Sequence, residues 1–359
     1  MSTFNELRIK SNIRDYSVIF VDDFSEALIR GSLEKTFFII DQNVFNLYND
    51  KFQGILQQGR YLIVESIELN KTLDYIKVVI NFLINNGIKR NNKLIAIGGG
   101  IIQDITGFVS SILFRGIEWI FYPTTLLAQS DSCIGSKTSI NIDGFKNQLG
   151  TFYPPERIIL DYNFLKTLTL ADIKSGLGEI IKVHLLDGEK SLEYILSHYE
   201  QAFSNPVVLK ELIFRSLMIK KNIIEQDEFD KNYRNILNYG HTFGHAIEFI
   251  TNYEIYHGQA VTMGMHIANY ISIKIGILSE ESYEMMNKVL SKNYPDYSLK
   301  IEHKDSFLIA LSKDKKNVDE NLSAILTEGP GKMRKMEIPF DDNLKEFIDN
   351  YLYHIHNIR

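Results

Sequence analysis

The first half of the chain alternates short apolar runs with segments whose apolar residues recur at helical spacing. The helical spacing is clearest in residues 71–86, where apolar residues fall three or four positions apart. Apolar runs that predict β-strands lie at residues 36–40, 61–64, 93–97, 119–122 and 157–160. Strands that alternate with helices in this way are typical of a parallel or mixed sheet covered by helices.

The pattern changes after the prolines at 154 and 155. From about residue 170 onward almost every segment has helical spacing, and strand signals are few. We therefore predict a boundary between residues 165 and 170, with an α/β domain over 1–168 and a mostly helical domain over 169–359. A chain of 359 residues is too long for one comfortable core. With no repeat or low-complexity linker in between, we expect the halves to pack closely and form a ligand cleft.

Composition narrows the class of protein. Apolar residues make up 45% and charged residues 23%, which is ordinary for a soluble globular chain. A net charge of -6 provides no general electrostatic attraction for nucleic acid, so no nucleic-acid partner is expected. With no leader-like start and no long apolar stretch, we expect a cytoplasmic protein with no membrane partner. The single cysteine, Cys133, predicts a small buried side chain and no internal disulfide.

A run of three glycines follows the strand predicted at 93–97 and precedes a helical pattern over 101–114. Glycines there would let the backbone approach a pyrophosphate, and the helix N-terminus would offer it N–H groups. The run is not the GxGxxG fingerprint, so a tight turn without a ligand is about equally compatible. Polar residues after the first two predicted strands favour a ribose or adenine ligand: Asp41 and Asn43, then Glu68 and Lys71.

The most polar stretch of the first half extends to residue 150, and its glycines predict a loop. Arginine, lysine and asparagine beside a glycine-rich turn suit phosphate, because charge-assisted hydrogen bonds to phosphate oxygens are strong and directional. The alternative is an ordinary solvated loop, although the apolar frame of Leu126, Leu127 and Ile134 indicates partial burial. The candidate residues of this stretch are Arg115, Thr124, Thr125, Asp131, Lys137, Lys146 and Asn147.

The second half contains a cluster of histidines. A helix would place His241 and His245 on one face, with Glu248 one turn further along. His257 follows closely in the sequence. Paired histidines either bind zinc together or divide metal binding and proton transfer between them. Two surface histidines on an ordinary helix are the alternative interpretation.

Carboxylate and basic residues elsewhere in the second half complete a possible site. Glu179 and Lys182 share a helical face, where a surface pair would contribute only a few tenths of a kcal/mol. A glutamate with two histidines is also a zinc set that leaves coordination positions open for substrate. Lys220 and Arg234 together could hold a substrate carboxylate. A basic run over 313–316 is equally compatible with a solvated surface.

In chain order, eight motifs resemble those of the 3-dehydroquinate synthase family. They extend over nearly the whole chain without large gaps. Each motif is weak by itself, but a collinear set of eight is specific. The motifs lie at residues 98–104, 114–116, 123–129, 137–138, 146–147, 179–182, 237–245 and 257–258.

The resemblance implies an α/β, Rossmann-like NAD-binding N-terminal domain and an all-α metal-binding C-terminal domain, in a homodimer. Enzymes of this family are carbon–oxygen lyases that convert 3-deoxy-D-arabino-heptulosonate 7-phosphate, a sugar phosphate, into 3-dehydroquinate and phosphate in the shikimate pathway. The implied route is transient oxidation by NAD, elimination of phosphate, re-reduction and intramolecular aldol closure. The implied cofactors are therefore NAD and Zn2+, with Co2+ as an alternative metal.

Matched positions imply the roles of individual residues. Zinc would be bound by Glu179, His241 and His257. NAD would be contacted by Asp41, Asn43, Glu68, Lys71, Gly99, Gly100, Asp104, Thr124, Thr125, Lys137 and Lys146. Substrate would be surrounded by Asp131, Lys137, Lys146, Asn147, Lys182, Lys220, Arg234, Asn238, His245, Arg115 of the neighbouring subunit, and one of Lys315 or Lys316.

Several residues depart from the family pattern, namely Gln103, Ser136, Ser139, Gly178 and Gln259. Gln259 stands where a glutamate normally follows His-Gly, so we expect the loss of an outer charge near a metal ligand. Gly178 replaces the usual alanine, which predicts a change in packing.

Three other functions compete with this interpretation. Inosose- or valiolone-forming sugar phosphate cyclases act on substrates without a carboxylate, so Lys220, Arg234 and Asn238 favour the dehydroquinate type. A metal-dependent polyol dehydrogenase would produce net NADH, and the many candidate phosphate and carboxylate partners disfavour it. A catalytically silent binding protein is disfavoured by the intact metal and NAD sets.

Overall fold

The computed structural model describes residues 6–29, 35–57, 59–143, 145–297, 299, 301–312 and 321–357. It divides into two compact units, unit 1 from Met1 to Leu168 and unit 2 from Thr169 to Arg359. Unit 1 is an α/β structure and unit 2 is mostly helical, so the expected fold class is confirmed. Among the described helices, none is long and apolar enough to cross a membrane.

Unit 1 is built on a mainly parallel sheet. Its strands are β1 (Glu6–Ile9), β2 (Tyr16–Val21), β3 (Thr36–Asp41), β4 (Tyr61–Val64), β5 (Lys93–Gly98), β6 (Glu118–Pro123), β7 (Lys137–Ile142), β8 (Phe145–Phe152) and β9 (Arg157–Asp161). Seven of these described strands form one sheet in the order β1-β2-β9-β6-β5-β3-β4. Within it β1 pairs antiparallel with β2 and the other pairs are parallel, while β7 and β8 form a separate hairpin.

Helices of unit 1 follow the strands. They are α1 (Phe24–Ile29), α2 (Gln42–Leu47), α3 (Gln53–Leu56), α4 (Leu73–Asn85) and α5 (Gly100–Ile112). The helix predicted over 71–86 is confirmed as α4, which buries Ile76, Val79 and Leu83 along one stripe. It begins two residues late because Thr72 is its N-cap and accepts a hydrogen bond from the Tyr75 backbone N–H.

All five predicted strands are confirmed, as β3, β4, β5, β6 and β9. Burial explains the success: β3 is buried at every position, as expected of a strand covered on both faces. The loop predicted up to residue 150 was wrong, because β7 and β8 pair antiparallel within it. None of the described residues of β8 is fully buried. The sequence of β8 therefore lacks the alternation of apolar and polar residues from which a strand is predicted.

Parallel pairing brings the carboxyl ends of the central strands to one edge. From β3 the chain continues to β4 on one side and then crosses to β5 on the other, so the strand order reverses between β3 and β5. Ligands of open α/β sheets bind beside such a reversal. Asp41 ends β3 there and Gly98 ends β5.

The described part of unit 2 contains helices and one hairpin. Its helices are α6 (Leu170–Asp187), α7 (Glu189–His198), α8 (Pro206–Gln226), α9 (His241–Ile250), α10 (His257–Lys274), α11 (Glu280–Leu290), α12 (Lys304–Ser312) and α13 (Asp342–Asn357). The hairpin pairs β10 (Asn321–Thr327) with β11 (Met333–Pro339), and the sequence pattern did not predict it. Six of the seven residues of β10 are buried, and a short apolar run of this kind cannot be told from a buried helical segment by periodicity.

Glycines allow α6 and α10 to approach closely. A Cβ built on Gly178 would overlap the carbonyl oxygen of Gly258, and one on Gly258 would overlap the carbonyl oxygen of Ser175. The Gly258 backbone N–H donates to Ser175 Oγ at 3.1 Å across the same contact. The packing change expected at Gly178 therefore has a physical basis, because the backbones meet where a side chain would otherwise stand.

Candidate active site

The glycine run forms the turn from β5 into α5. Gly99 is the N-cap of α5, and no described side chain caps this helix. A Cβ on Gly99 would lie 3.0 Å from Thr125 Cγ2, and the Thr124 backbone N–H donates to the Gly98 carbonyl at 3.0 Å. Gly99, Gly100, Thr124 and Thr125 thus lie together at a helix N-terminus, whose N–H groups and dipole suit a phosphate group.

Asp41 lies beside this turn at the strand-order reversal. Its Oδ1 accepts hydrogen bonds from the backbone N–H groups of Asn43 and Val44, at 2.7 and 3.1 Å, which makes Asp41 the N-cap of α2. A Cβ on Gly98 would lie 3.1 Å from Asp41 Cβ, so the two strand ends are in contact. One carboxylate oxygen therefore organises the helix start, and the exposed Asn43 lies on its first turn.

Asp104 is the centre of a polar network. Lys71 Nζ lies 2.7 Å from its Oδ2, and the Ser139 backbone N–H donates to its Oδ1 at 2.9 Å. Ser139 Oγ lies 3.0 Å from Asp104 Oδ2 and 2.9 Å from Asn147 Oδ1. Burial raises the pKa of Asp104 above its ordinary value, and the Lys71 ammonium opposes that shift. The network joins α5 to both strands of the β7–β8 hairpin.

Glu68 joins the same network through the hairpin. Asn141 Nδ2 donates to Glu68 Oε1 at 2.8 Å, and the Asn147 backbone N–H donates to Asn141 Oδ1 at 2.9 Å. Sequence reasoning missed Asn141 and treated Ser139 only as a departure. Both residues lie in β7, but a β-bulge between Ile140 and Ile142 interrupts its two-residue period at Asn141, so the sequence pattern gives no signal for their contacts.

The other unit 1 candidates occupy varied positions. Lys137 opens β7 and is exposed, and Lys146 is the half-buried second residue of β8. Asp131 lies in the π-helical turn Ala128–Ser132. Arg115 is exposed and left-handed at φ 66°, directly after left-handed Phe114 at φ 53°. Two consecutive non-glycine residues in this region store backbone strain, which is often retained for function.

Three side chains of unit 2 form a candidate metal centre. Glu179 Oε1 lies 3.7 Å from His241 Nε2 and 3.5 Å from His257 Nε2. Ligand atoms from these residues lie within 4.8 Å of one another. Glu179 is supplied by the middle of α6, His241 by the first residue of α9 and His257 by the first residue of α10.

The second nitrogen of each imidazole is already engaged. His241 Nδ1 lies 3.3 Å from the Tyr239 carbonyl oxygen, and His257 Nδ1 lies 3.2 Å from Glu248 Oε2. Carbonyl and carboxylate oxygens accept, so these contacts place the proton on Nδ1. Both Nε2 atoms face Glu179. Burial lowers the pKa of His257, but the carboxylates of Glu248 and Glu179 outweigh it and raise the pKa above its ordinary value, so a bound metal would take the place of the Nε2 proton.

The carboxylate of Glu179 is divided between two environments. Oε2 pairs with Lys182 Nζ, and both side chains are buried. Oε1 is buried and has no hydrogen-bond partner among the described residues. Burial raises the pKa of Glu179, but Lys182 and His257 outweigh it and the net pKa is lowered. An ionised, buried and unsatisfied oxygen facing two imidazole nitrogens fits a divalent cation.

His245 and Glu248 border this centre. The His245 ring is exposed, with its centroid 5.3 Å from that of His241 and 5.8 Å from that of His257. His245, Glu248 and His257 also satisfy the geometry of a metal-binding group. The set with Glu179 is the better site, because its buried oxygen lacks a hydrogen bond. Sequence reasoning placed Glu248 on the right helical face but gave it no role.

The remaining unit 2 candidates are basic or amide side chains. Lys220 on α8 is buried, as is Arg234 in the 3-10 turn Tyr233–Asn238, which packs on α8. The Arg234 guanidinium donates to the Glu228 carbonyl oxygen, and Asn238 Nδ2 donates to the Asn235 carbonyl oxygen at 3.2 Å. Lys315 and Lys316 lie outside the described residues.

Sequence comparisons identify relatives of this chain. Models described as 3-dehydroquinate synthase N-terminal and C-terminal match residues 61–175 and 176–317. The 3-dehydroquinate synthase of Clostridium tetani is 37% identical, covering 90% of this chain and 87% of the relative. That of Alkaliphilus metalliredigens is also 37% identical, with 89% and 91% covered.

Structural comparisons show the same fold in other enzymes. A 2-deoxy-scyllo-inosose synthase complexed with carbaglucose-6-phosphate, NAD+ and Co2+ has a TM-score of 0.82 at 24% identity, with 98% of this chain and 100% of that chain covered. A 2-epi-5-epi-valiolone synthase from Streptomyces hygroscopicus with NAD+ and Zn2+ bound has a TM-score of 0.83 at 23% identity, covering 98% and 100%. A glycerol dehydrogenase from Schizosaccharomyces pombe has 0.58 at 14%, covering 95% and 90%.

Proposed function

Because the chain belongs to the 3-dehydroquinate synthase family, we propose that it converts 3-deoxy-D-arabino-heptulosonate 7-phosphate into 3-dehydroquinate and phosphate. The observation that carries the proposal is the buried Glu179 oxygen facing the Nε2 atoms of His241 and His257. This set provides three protein ligands and leaves a coordination position for a substrate oxygen, as catalytic zinc sites do.

NAD and a zinc or cobalt ion are the cofactors of this proposal. When bound, NAD would take a hydride from the substrate and return it, and the metal would polarise an oxygen of the substrate. In unit 1, the N–H groups at the start of α5 would hold the pyrophosphate, with Thr124 and Thr125 beside it. The proposal is supported by two solved enzymes of the same fold, which contain NAD+ with Co2+ or Zn2+.

The charged groups of the substrate require fixed cationic and polar partners. In unit 1, Lys137 and Asn147 would bind phosphate, and Ser139 holds the Asn147 amide oxygen. In unit 2, Lys220 and Arg234 would bind the carboxylate. Their burial strengthens electrostatic attraction to an anion relative to a solvated position, and the planar guanidinium matches a carboxylate with two parallel hydrogen bonds.

The proposal includes a homodimer in which Arg115 reaches the phosphate bound by the neighbouring subunit. Arg115 is exposed on a strained left-handed turn, so its side chain is accessible to a second copy of the chain. Light scattering after size-exclusion chromatography would measure the mass in solution. A monomer that is fully active would contradict this part of the proposal.

The activity is tested by incubating purified protein with the heptulosonate phosphate, NAD and Zn2+, and measuring phosphate release beside NADH absorbance. We expect phosphate in proportion to substrate consumed and no accumulation of NADH, because the hydride is returned in each turnover. A His257→Ala preparation, purified in parallel, controls for contaminating enzymes.

Other outcomes would identify a different enzyme. Net NADH would indicate a polyol dehydrogenase and would overturn the proposal. Phosphate release from glucose 6-phosphate or sedoheptulose 7-phosphate, with none from the heptulosonate, would identify one of the other sugar phosphate cyclases.

A further inference from the structure

Glu248 lies directly behind one of the candidate metal ligands. Its Oε2 is 3.2 Å from His257 Nδ1, while Nε2 of the same ring is 3.5 Å from Glu179 Oε1. The Glu248 side chain is 11% exposed and the His257 side chain 33%, so the carboxylate is largely shielded from water. His257 is therefore held between two carboxylates, one at each ring nitrogen.

The turn between α9 and α10 fixes this arrangement. The Tyr253 backbone N–H donates to the Glu248 carbonyl at 2.9 Å, and the Asn252 N–H donates to the Phe249 carbonyl at 3.2 Å. These are the two hydrogen bonds of a Schellman motif, with Asn252 at the left-handed C′ position, φ 48°. The motif ends α9 just after Glu248 and directs the chain back, so that His257 at the start of α10 meets the Glu248 side chain.

The hydrogen-bond acceptors behind the two histidines of the candidate metal centre differ in charge, and so in the strength of the hydrogen bonds that they accept. His241 has a neutral carbonyl oxygen behind it, whereas His257 has a carboxylate. A charge-assisted hydrogen bond is roughly twice as strong as a neutral one, and a carboxylate behind an imidazole increases the basicity of the nitrogen that binds metal. Gln259 lacks the charge of the glutamate that was expected beside His257. The Glu248 carboxylate, however, contacts the His257 ring directly.

Glu248 could alternatively bind the metal directly, since it also forms a ligand group with His245 and His257. That group would leave the buried, unsatisfied Oε1 of Glu179 without a cation. Its other histidine, His245, is exposed. The geometry therefore favours the outer role for Glu248.

We propose that Glu248 is a positioning residue, which holds the His257 ring so that Nε2 faces the metal bound by Glu179 and His241. The proposal rests on the metal site of the proposed function. Its test is metal affinity, which can be measured without substrate and without turnover.

The experiment compares wild type with Glu248→Gln, which keeps the size of the side chain and removes its charge. Zn2+ affinity is measured by competition with a chromophoric chelator. The matched control is Glu254→Gln, because Glu254 is exposed and lies nearby in the same connection between α9 and α10. Circular dichroism and thermal unfolding of the metal-free proteins report whether the fold is retained.

We expect Glu248→Gln to weaken Zn2+ binding by about 10- to 100-fold, as is typical for the loss of an outer partner of a metal ligand. Glu254→Gln should remain within about twofold of wild type, and the metal-free Glu248→Gln protein should keep the helical signal of wild type. Glu248→Asp, which keeps the charge on a shorter side chain, should recover part of the lost affinity. That recovery would not follow if the glutamate served only to fill space.

Three results would overturn the proposal. Unchanged affinity in Glu248→Gln would show that His257 needs no outer carboxylate. Complete loss of binding in a folded variant, matching Glu179→Gln, would make Glu248 a ligand. Loss of affinity in proportion to loss of helical signal would make its role purely structural. A wild-type protein that binds no Zn2+ would instead refute the metal site of the proposed function.

Discussion

At the scale of single residues, two of the lysine–aspartate pairs in the described part of unit 1 differ mainly in depth. Lys71 pairs with Asp104 at 2.7 Å with side chains 7% and 20% exposed, and Lys77 pairs with Asp74 at 2.7 Å with side chains 66% and 89% exposed. Because the two ion-pair distances are equal, the pairs differ in how far their side chains are buried. Breaking a buried pair leaves an uncompensated charge, whereas an exposed pair contributes little.

Lys71→Met should therefore lower the free energy of unfolding of unit 1 by about 3 kcal/mol. Lys77→Met, the matched exposed control, should change it by less than about 1 kcal/mol. The single tryptophan, Trp119, lies buried in β6, so its fluorescence during denaturant titration reports on unit 1. Equal effects of the two substitutions would show that burial does not decide the energetics of the Asp104 network.

His257→Ala should abolish tight Zn2+ binding and the proposed activity, because it removes one of the three proposed protein ligands. Metal content after extensive dialysis, measured by atomic emission, checks the first effect, and phosphate release checks the second. The control is His303→Ala, since His303 lies in the same unit and belongs to neither metal-binding group. Full activity of a verified metal-free His257→Ala protein would refute the ligand assignment.

Much of the candidate site could be predicted from the sequence, for a physical reason. Helical spacing placed His241, His245 and Glu248 on one face, and the family motifs added the distant Glu179. The roles of Ser139 and Asn141 could not be predicted, because their contacts depend on the pairing of β7 with β8 and on its packing against α5. Local spacing carries no information about such long-range contacts.

At the scale of elements, the geometry of the proposed metal centre depends on how closely α6 and α10 approach. Glu179 follows Gly178 on α6, and His257 precedes Gly258 on α10. The two glycines meet backbone to backbone, so each ligand is adjacent to the point of contact. Helix separation at this point therefore helps to determine the distance between the ligands.

Gly178→Ala should push the two helices apart, because the added Cβ would overlap the Gly258 carbonyl oxygen. Overpacking of this kind typically costs about 1–3 kcal/mol, and a shifted His257 should also bind Zn2+ more weakly. Calorimetry and chelator competition measure the two effects. Gly54→Ala is the control, because a Cβ on Gly54 would meet nothing within 4 Å.

In unit 1 the success of strand prediction largely followed burial, whereas the buried β10 of unit 2 was missed. Strands β3, β5 and β9 are buried at most or all positions and were found from their apolar runs. Strands β7 and β8 were not found, because their hydrogen-bonded pairing is not accompanied by a strongly apolar face. The hydrophobic pattern of a segment shows which of its faces is buried. It gives only indirect information about which strands are hydrogen-bonded to each other.

At the scale of the whole molecule, a histidine and three tyrosines join separate parts of unit 2. The His266 Nδ1 atom on α10 contacts the Tyr294 hydroxyl and lies 3.2 Å from the Tyr351 hydroxyl on α13. Its Nε2 lies 3.0 Å from the Tyr283 hydroxyl on α11. Burial lowers the pKa of His266 to about 4. The neutral imidazole is therefore part of the packed structure.

This shift predicts a pH dependence of stability. The unfolded chain binds the His266 proton near the ordinary value of 6.5, and the folded chain binds it only near 4. Between these values the unfolded state holds more protons, so stability rises with pH. The contribution is complete above about 6.5 and is lost as the pH falls towards 4.

His266→Gln should therefore flatten the dependence of the melting temperature on pH between about 4 and 6.5. Burial also lowers the pKa of His184 to about 4, so some dependence should remain in the variant. His303→Gln, measured in the same buffers, controls for loss of a histidine elsewhere in the unit. Parallel pH profiles for wild type and His266→Gln would contradict the prediction.

The pairing of β2 with β9 has a consequence for the synthesis of this protein. These neighbours in the sheet come from opposite ends of unit 1, and the Asp161 carboxylate that caps the Phe24 backbone N–H is 137 residues away in the chain. On the ribosome, β2 emerges long before its partner and presents an open edge during that interval. A nascent chain released before β9 would expose both β2 and β6, so premature termination here should yield aggregation-prone fragments.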